Sequence, residues 1–181
     1  MNKTLDSIKN LIENADCILI GAGSGLSSAA GIAYSGDEFK KEFAPFIKKY
    51  GFTDLYTSGF YDFRSKEEYW GMWAKHIYYC DTGRNGTELY RKIYNLVKDK
   101  DYFVITTNVD DQFYKTGFDE NKIFRVQGSY ALNQCSKGCH NKLYPNEELV
   151  DKMLNSLDSD LKIPTELVPI CPVCGEPMEP N

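Results

Sequence analysis

The chain has 181 residues, 42% of them hydrophobic and 26% charged, which is material for one ordinary soluble domain or one and a half small ones. Its formal charge of −5 argues against general nucleic-acid binding, which relies on clustered Lys and Arg, so an anionic ligand must be held by backbone donors. No apolar run approaches the roughly 20 residues that span a bilayer, and Met1-Asn-Lys-Thr-Leu-Asp6 carries no signal-peptide apolar stretch, so the sequence predicts a cytoplasmic protein with no membrane partner.

Leu5, Ile8, Leu11 and Ile12 predict a helix over 5–14. Cys17 to Ile20 reads as a short buried strand that passes into Gly21-Ala-Gly-Ser-Gly25 and a run of small residues. A strand feeding a glycine-rich turn at a helix start gathers backbone N–H groups at one point and attracts phosphate. A Cβ there would block a pyrophosphate. The alternative is a tight turn packed against a helix, and the glycines alone leave both open.

Residues 37–49 place Phe39, Phe43, Phe46 and Ile47 on one face of a helix or of two short ones, with Pro45 as an irregularity. The aromatic, glycine-bearing stretch 53–63 reads as irregular. A helix is predicted over 66–79, with Tyr69, Trp70, Trp73, Ile77 and Tyr78 as core, then a loop over 81–86 and an amphipathic helix over 87–98. Strands follow at 102–106 and 122–126, separated by a short helix over 111–116 that Gly117 ends. Their polar ends, Asn108, Asp110 and Gln127, face the crevice of the glycine turn, the edge where open α/β sheets bind ligands.

Cys135-x3-Cys139 and Cys171-x2-Cys174 are two knuckles suited to one tetrahedral zinc. Disulfides are the weaker alternative in a reducing compartment. Four thiolates close the shell, which makes the metal structural. His140 reads as a surface neighbour, and Cys17 and Cys80 as packing residues.

These motifs, in this order, resemble the sirtuins. Gly23-Ser-Gly-Leu-Ser27 with Ala30-Gly-Ile-Ala-Tyr-Ser-Gly36 is similar to their glycine loop, Thr106-Thr-Asn-Val-Asp110 to their T-Q-N-x-D, and Gln127-Gly-Ser129 to their H-G-S, with two cysteine pairs after it. Gln127 stands at the catalytic histidine, Gly36 at the loop arginine, Ala33 at the proline and Thr107 at the glutamine. That combination resembles the macrodomain-linked class M sirtuins of microbes, as do Gly59-Phe-Tyr61, Glu68-Tyr-Trp70, His76-Ile-Tyr-Tyr79 and Gln134-Cys-Ser-Lys-Gly-Cys-His-Asn141.

The resemblance implies an α/β fold: a sirtuin-like Rossmann parallel sheet over 1–36 and 87–129, a helical module over 37–86 and a zinc ribbon over 130–181. It implies NAD as co-substrate and structural zinc on Cys135, Cys139, Cys171 and Cys174. NAD is expected on Ala22, Gly23, Ser24, Gly25, Ser27, Tyr34, Asn108, Asp110 and Gln127. The implied activity is mono-ADP-ribosyl transfer to a lipoylated carrier protein related to the glycine-cleavage H protein, with a macrodomain ADP-ribose hydrolase as a further partner.

Chemistry points the same way. Cleaving nicotinamide from ribose passes through an oxocarbenium-like state that needs orientation and exclusion of water. In this reading Asp110 holds the nicotinamide carboxamide, Asn108 the ribose hydroxyls and the glycine turn the diphosphate. Deacylation also needs a base, which histidine supplies and a glutamine amide does not, although Gln127 can still hydrogen-bond a hydroxyl. The alternatives are an NAD-dependent deacylase and a non-catalytic zinc and nucleotide module. Three convincing core strands, against roughly six in a full doubly wound sheet, predict either a longer parent chain or completion by a partner. An open sheet edge, exposed apolar surface and self-association or marginal stability are expected with it.

Overall fold

A computed structural model describes residues 3–181; Met1 and Asn2, with which the expected Rossmann part begins and on which part of the signal-peptide expectation falls, lie outside the described residues. Helix α1 (Lys3–Asn14) leads into β1 (Cys17–Ala22) and α2 (Ser24–Ala29). Further on, α7 (Glu88–Val97), β2 (Asp101–Thr106), α8 (Gln112–Lys115) and β3 (Ile123–Arg125) complete a parallel sheet of order β1-β2-β3. Ile20 pairs with Val104, and Val104 with Ile123, so these side chains share a face. That face is packed by Tyr90, Ile93 and Val97 of α7, by Phe113 of α8 and by Phe118. The other face carries Leu19, Phe103, Ile105 and Phe124, all exposed. The expectation of a buried first strand is corrected here: β1 alternates, and Cys17, read as a packing residue, is exposed.

The segment between the two halves of the sheet is helical. Helices α3 (Gly36–Glu42) and α4 (Ala44–Tyr50) are separate because Phe43 leaves the helical path, and Pro45 sits in the first turn of α4, where a missing N–H costs nothing. The stretch read as irregular contains one helical turn, α5 (Leu55–Ser58), whose N-cap Asp54 accepts from the Thr57 N–H at 2.7 Å. Helix α6 (Lys66–Ile77) is capped by Ser65 and continues into a π-helical turn over Tyr78–Thr82. Asp81 and Thr82, read as loop, belong to that turn, which buries Cys80 and Asp81. Among the described residues no helix is long and apolar enough to cross a membrane.

After β3 come β4 (Leu132–Cys135), β5 (Tyr144–Pro145), α9 (Glu147–Asn155) and β6 (Met178–Pro180). The three strands form a small antiparallel sheet of order β5-β4-β6. The span 130–181 is not ribbon throughout: Val150 and Met153 of α9, with Ile163, share a core with Trp70, Ala74 and Ile77 of α6. Gly71 lets the chain after α9 run close against α6, since a Cβ there would stand 2.2 Å from the Leu161 carbonyl oxygen.

Candidate active site and metal centre

Strands β1 and β2 end side by side, with Ala22 opposite Thr106, and the chain after each turns into one cleft of about 640 Å³, a normal size for a small-molecule site. Ser24, Gly25, Ser27, Tyr34, Asn108, Asp110 and Gln127 line it together. Ala22 and Gly23 lie at its β1 edge rather than in the lining. Ile32, Tyr56 and Tyr130 also line it, and sequence reasoning did not single them out.

The geometry of the turn's glycines bears on the two readings left open. Gly21, Gly23 and Gly25 have no positive φ, so the backbone does not demand them. Cβ atoms at Gly21 and Gly25 would meet nothing within 4 Å, and one at Gly23 only Thr107 Oγ1 at an ordinary 3.5 Å. Neither conformation nor protein packing accounts for glycine here. The open space beside them fits the approach of a ligand such as a pyrophosphate.

Below the turn lies a chain of buried polar groups. Ser27 Oγ donates to Asp110 Oδ2 at 2.5 Å, Tyr90 OH lies 3.3 Å from Ser27 Oγ, and Asn108 Nδ2 donates to Tyr90 OH at 3.0 Å. The Gln112 N–H donates to Asp110 Oδ1 at 3.2 Å. Burial pushes the Asp110 carboxyl up, opposed by the Ser27 and Gln112 bonds, and burial pushes the Tyr90 hydroxyl up to about 12. Tyr90 was missed because a tyrosine on the apolar face of α7 reads as core; the signal was its hydroxyl, which needs a partner when buried.

Asp111 fixes the wall that carries Gln127. It sits at φ 50, and its carboxylate accepts from Arg125 Nη1 and Ser129 Oγ, each at 2.5 Å. The Tyr130 N–H donates to the Val109 carbonyl at 2.9 Å. The two loops are thus tied on both sides of Gln127, whose side chain is exposed at the cleft. Neither of the chain's two histidines lines the cleft, although the His76 ring packs behind it, 5.9 Å from that of Tyr34 and 5.1 Å from that of Tyr130. His76 is buried against Trp73, with rings 4.9 Å apart and nearly parallel, and burial lowers its pKa to about 3. His140 belongs to the ribbon. Burial also raises Tyr34 and Tyr130, and drives the thiol of fully buried Cys80 up. Cys80 is a packing residue, as read.

The sulfurs of Cys135, Cys139, Cys171 and Cys174 all lie within 4.8 Å of one another. Cys135 to Cys174 is 3.6 Å and Cys139 to Cys171 is 3.7 Å, close to the edge of about 3.8 Å that a tetrahedron with Zn–S bonds of about 2.3 Å requires. The first cysteine of each knuckle has its pKa lowered, Cys135 by the Cys139 and Lys137 N–H groups and Cys171 by those of Cys174 and Val173. The donor set fits structural zinc. His140 is more than a surface neighbour: half-buried, it places Nε2 3.6 Å from Cys171 Sγ and 3.1 Å from the Tyr144 hydroxyl.

Fold, cleft and cysteine cluster together give the chain a sirtuin-type fold. It is similar to a protein of Staphylococcus aureus named protein ADP-ribosyltransferase, 36% identical over 99% of this chain and 56% of that protein. A probable bifunctional ADP-ribose hydrolase/ADP-ribosyltransferase of Fusarium oxysporum f. sp. cubense is 33% identical over 97% of this chain and 30% of its own length. The NAD-dependent histone deacetylase sir2 of Schizosaccharomyces pombe is 25% identical over 96% of this chain and 34% of its own. The chain therefore spans about half or less of the curated relatives it matches. No family model matches it. Among solved structures, a Sir2 homologue with 2′-O-acetyl ADP-ribose superposes at a TM-score of 0.61 with 18% identity, over 99% of this chain and 62% of that one. A Sir2 homologue–NAD complex superposes at 0.58, also with 18% identity, over 97% of this chain and 60% of that one. These structures establish the fold.

Proposed function

We propose that the protein transfers ADP-ribose from NAD to a protein acceptor and releases nicotinamide. The observation that carries this reading is Gln127 in a cleft whose described lining contains no histidine: His76 is buried behind the lining residues Tyr34 and Tyr130, and His140 lies in the ribbon. The names of the Staphylococcus and Fusarium relatives support it.

In this reading NAD supplies the ADP-ribosyl group and the chain supplies orientation. Gly23, Ser24 and Gly25, beside Ala22, receive the diphosphate. Asp110 accepts from the nicotinamide carboxamide, Asn108 and Gln127 hydrogen-bond the ribose hydroxyls, and Ser27 holds Asp110 in place. Tyr34 and Tyr130, with Ile32, keep water from the reacting carbon. Gln127 positions a hydroxyl without removing its proton, which leaves the electrophilic carbon to an external nucleophile rather than to deacylation chemistry. The acceptor is a lipoylated carrier protein, and the double activity named for the Fusarium relative supports an ADP-ribose hydrolase as functional partner.

A mass-resolved assay separates the readings. Incubation with NAD and a lipoylated carrier protein should add the mass of ADP-ribose, and an acetyl-lysine peptide should keep its acetyl group. Gln127→Ala should slow transfer by roughly 30- to 1000-fold, the usual cost of one oriented transition-state contact. Robust deacetylation by the Gln127 protein overturns the transferase reading. Absence of NAD binding by calorimetry supports the non-catalytic module instead.

A further inference from the structure

With Asp110 ionised, the buried chain under the cleft has one consistent proton inventory. Asp110, as a carboxylate, only accepts, and Ser27 Oγ at 2.5 Å spends its one proton on it. At 3.3 Å from Ser27, the Tyr90 hydroxyl must then donate, and its one proton is spent too. Asn108, 3.0 Å away, can meet Tyr90 only with its NH2. The side-chain amide of Asn108 is 7% exposed as a residue and has two ends, one of which is now committed inward. Its other end, Oδ1, is what Asn108 offers a ligand.

We infer that Tyr90 is a positioning residue, whose hydroxyl fixes the polarity of the Asn108 amide so that the cleft receives an acceptor and selects a hydroxyl donor on the substrate. This rests on the transferase reading for the identity of that hydroxyl, a ribose one. Tyr90 never reaches the cleft: it is fully buried, packed edge-on against Phe113 with ring centroids 4.8 Å apart, and acts only through Asn108 and Ser27. Without its oxygen Asn108 could turn either end outward, and an outward NH2 would face the ribose hydroxyl with the wrong group.

Tyr90→Phe removes one atom from a buried ring and keeps its shape. Isotope-labelled asparagine reports the Asn108 side-chain amide by NMR, assigned by its loss in Asn108→Asp. The wild type should show a slowly exchanging NH2 pair, and Tyr90→Phe a rapidly exchanging one, whether or not NAD is turned over. In turnover, kcat for nicotinamide release should fall on the order of 10- to 100-fold, the scale of a misplaced reacting group, with KM for NAD moving less than about threefold. Phe113→Leu disturbs the packing of the same ring and leaves its oxygen in place; it should lower the melting temperature while kcat and the Asn108 pair stay as in the wild type. An unchanged Asn108 pair in Tyr90→Phe overturns the inference, and so does full kcat once the pair is released. If the wild type releases no nicotinamide, the transferase reading fails, and the spectrum still decides the role of Tyr90.

Discussion

His76 and Asp81 are both buried, stand close in the chain, and make opposite demands on protons. Burial lowers His76 from 6.5 to about 3. The unfolded chain binds that proton near pH 6.5, so the stability that neutral His76 contributes is complete above pH 6.5. It is lost at about 1.4 kcal/mol per pH unit as pH falls toward 3. Burial raises Asp81 from 3.8 to about 6 against the pull of its ion pair with Lys115. Its contribution is complete below pH 3.8 and is lost as pH rises through 6. Between about pH 4 and pH 6 the two slopes offset each other. His76→Gln should therefore lose melting temperature relative to wild type as pH rises across that window, because only the Asp81 slope remains. Asp81→Asn should gain relative to wild type over the same rise. Thermal melts at half-unit intervals check both, and parallel profiles for all three proteins would remove these two residues from the pH response.

At the scale of elements, two glycines that look alike in the sequence have opposite reasons to be glycine. Gly71 lies inside α6 where the Leu161 carbonyl presses on the helix, so Gly71→Ala should cost about 1–3 kcal/mol or more through overpacking. Gly25 lies in α2 beside open space, so Gly25→Ala should keep or slightly raise stability through helix propensity and still weaken NAD binding, by filling the ligand's space. Urea melts and calorimetry on the two variants check this; equal loss of stability would refute the contrast. Elements whose burial repeats at their own period, such as α7 and β2, were legible from sequence, as were Asn108 and Asp110 at a strand end. The π-helical turn was not, because Gly83 and Gly86 suggest a loop, and the widened turn is held by packing of Cys80 and by Lys115 from α8. Helix α9 lies between the cysteine pairs and was assigned with them, although its partner Trp70 is distant in sequence. Tyr90 needed the cleft itself to distinguish it from core.

For the molecule as a whole, the parallel sheet is covered on one side only among the described residues. Leu19 pairs with Phe103, Ile105 with Phe124, and Val126 continues the same side past β3. Leu19 is 67% exposed, Phe124 57% and Val126 50%, on a sheet face where apolar side chains adjoin. Scattered single hydrophobics are ordinary on protein surfaces, but a contiguous apolar sheet face seeks a cover. Each such side chain gains roughly 1.5–3 kcal/mol on full burial, so a few of them can hold two chains together against the entropy of association. The 181-residue chain should therefore self-associate, with a scattering mass above 20.7 kDa that rises with concentration. Leu19→Thr with Phe124→Thr should shift that rise to higher concentration and leave the core unaltered, since both side chains point away from the packed face. The double variant should also keep the cleft, whose lining comes from the loops beyond the strand ends rather than from this surface. A wild-type chain that scatters as a monomer at every concentration would show that the exposed face is tolerated in water, and an equally associating double variant would place the contact on another surface.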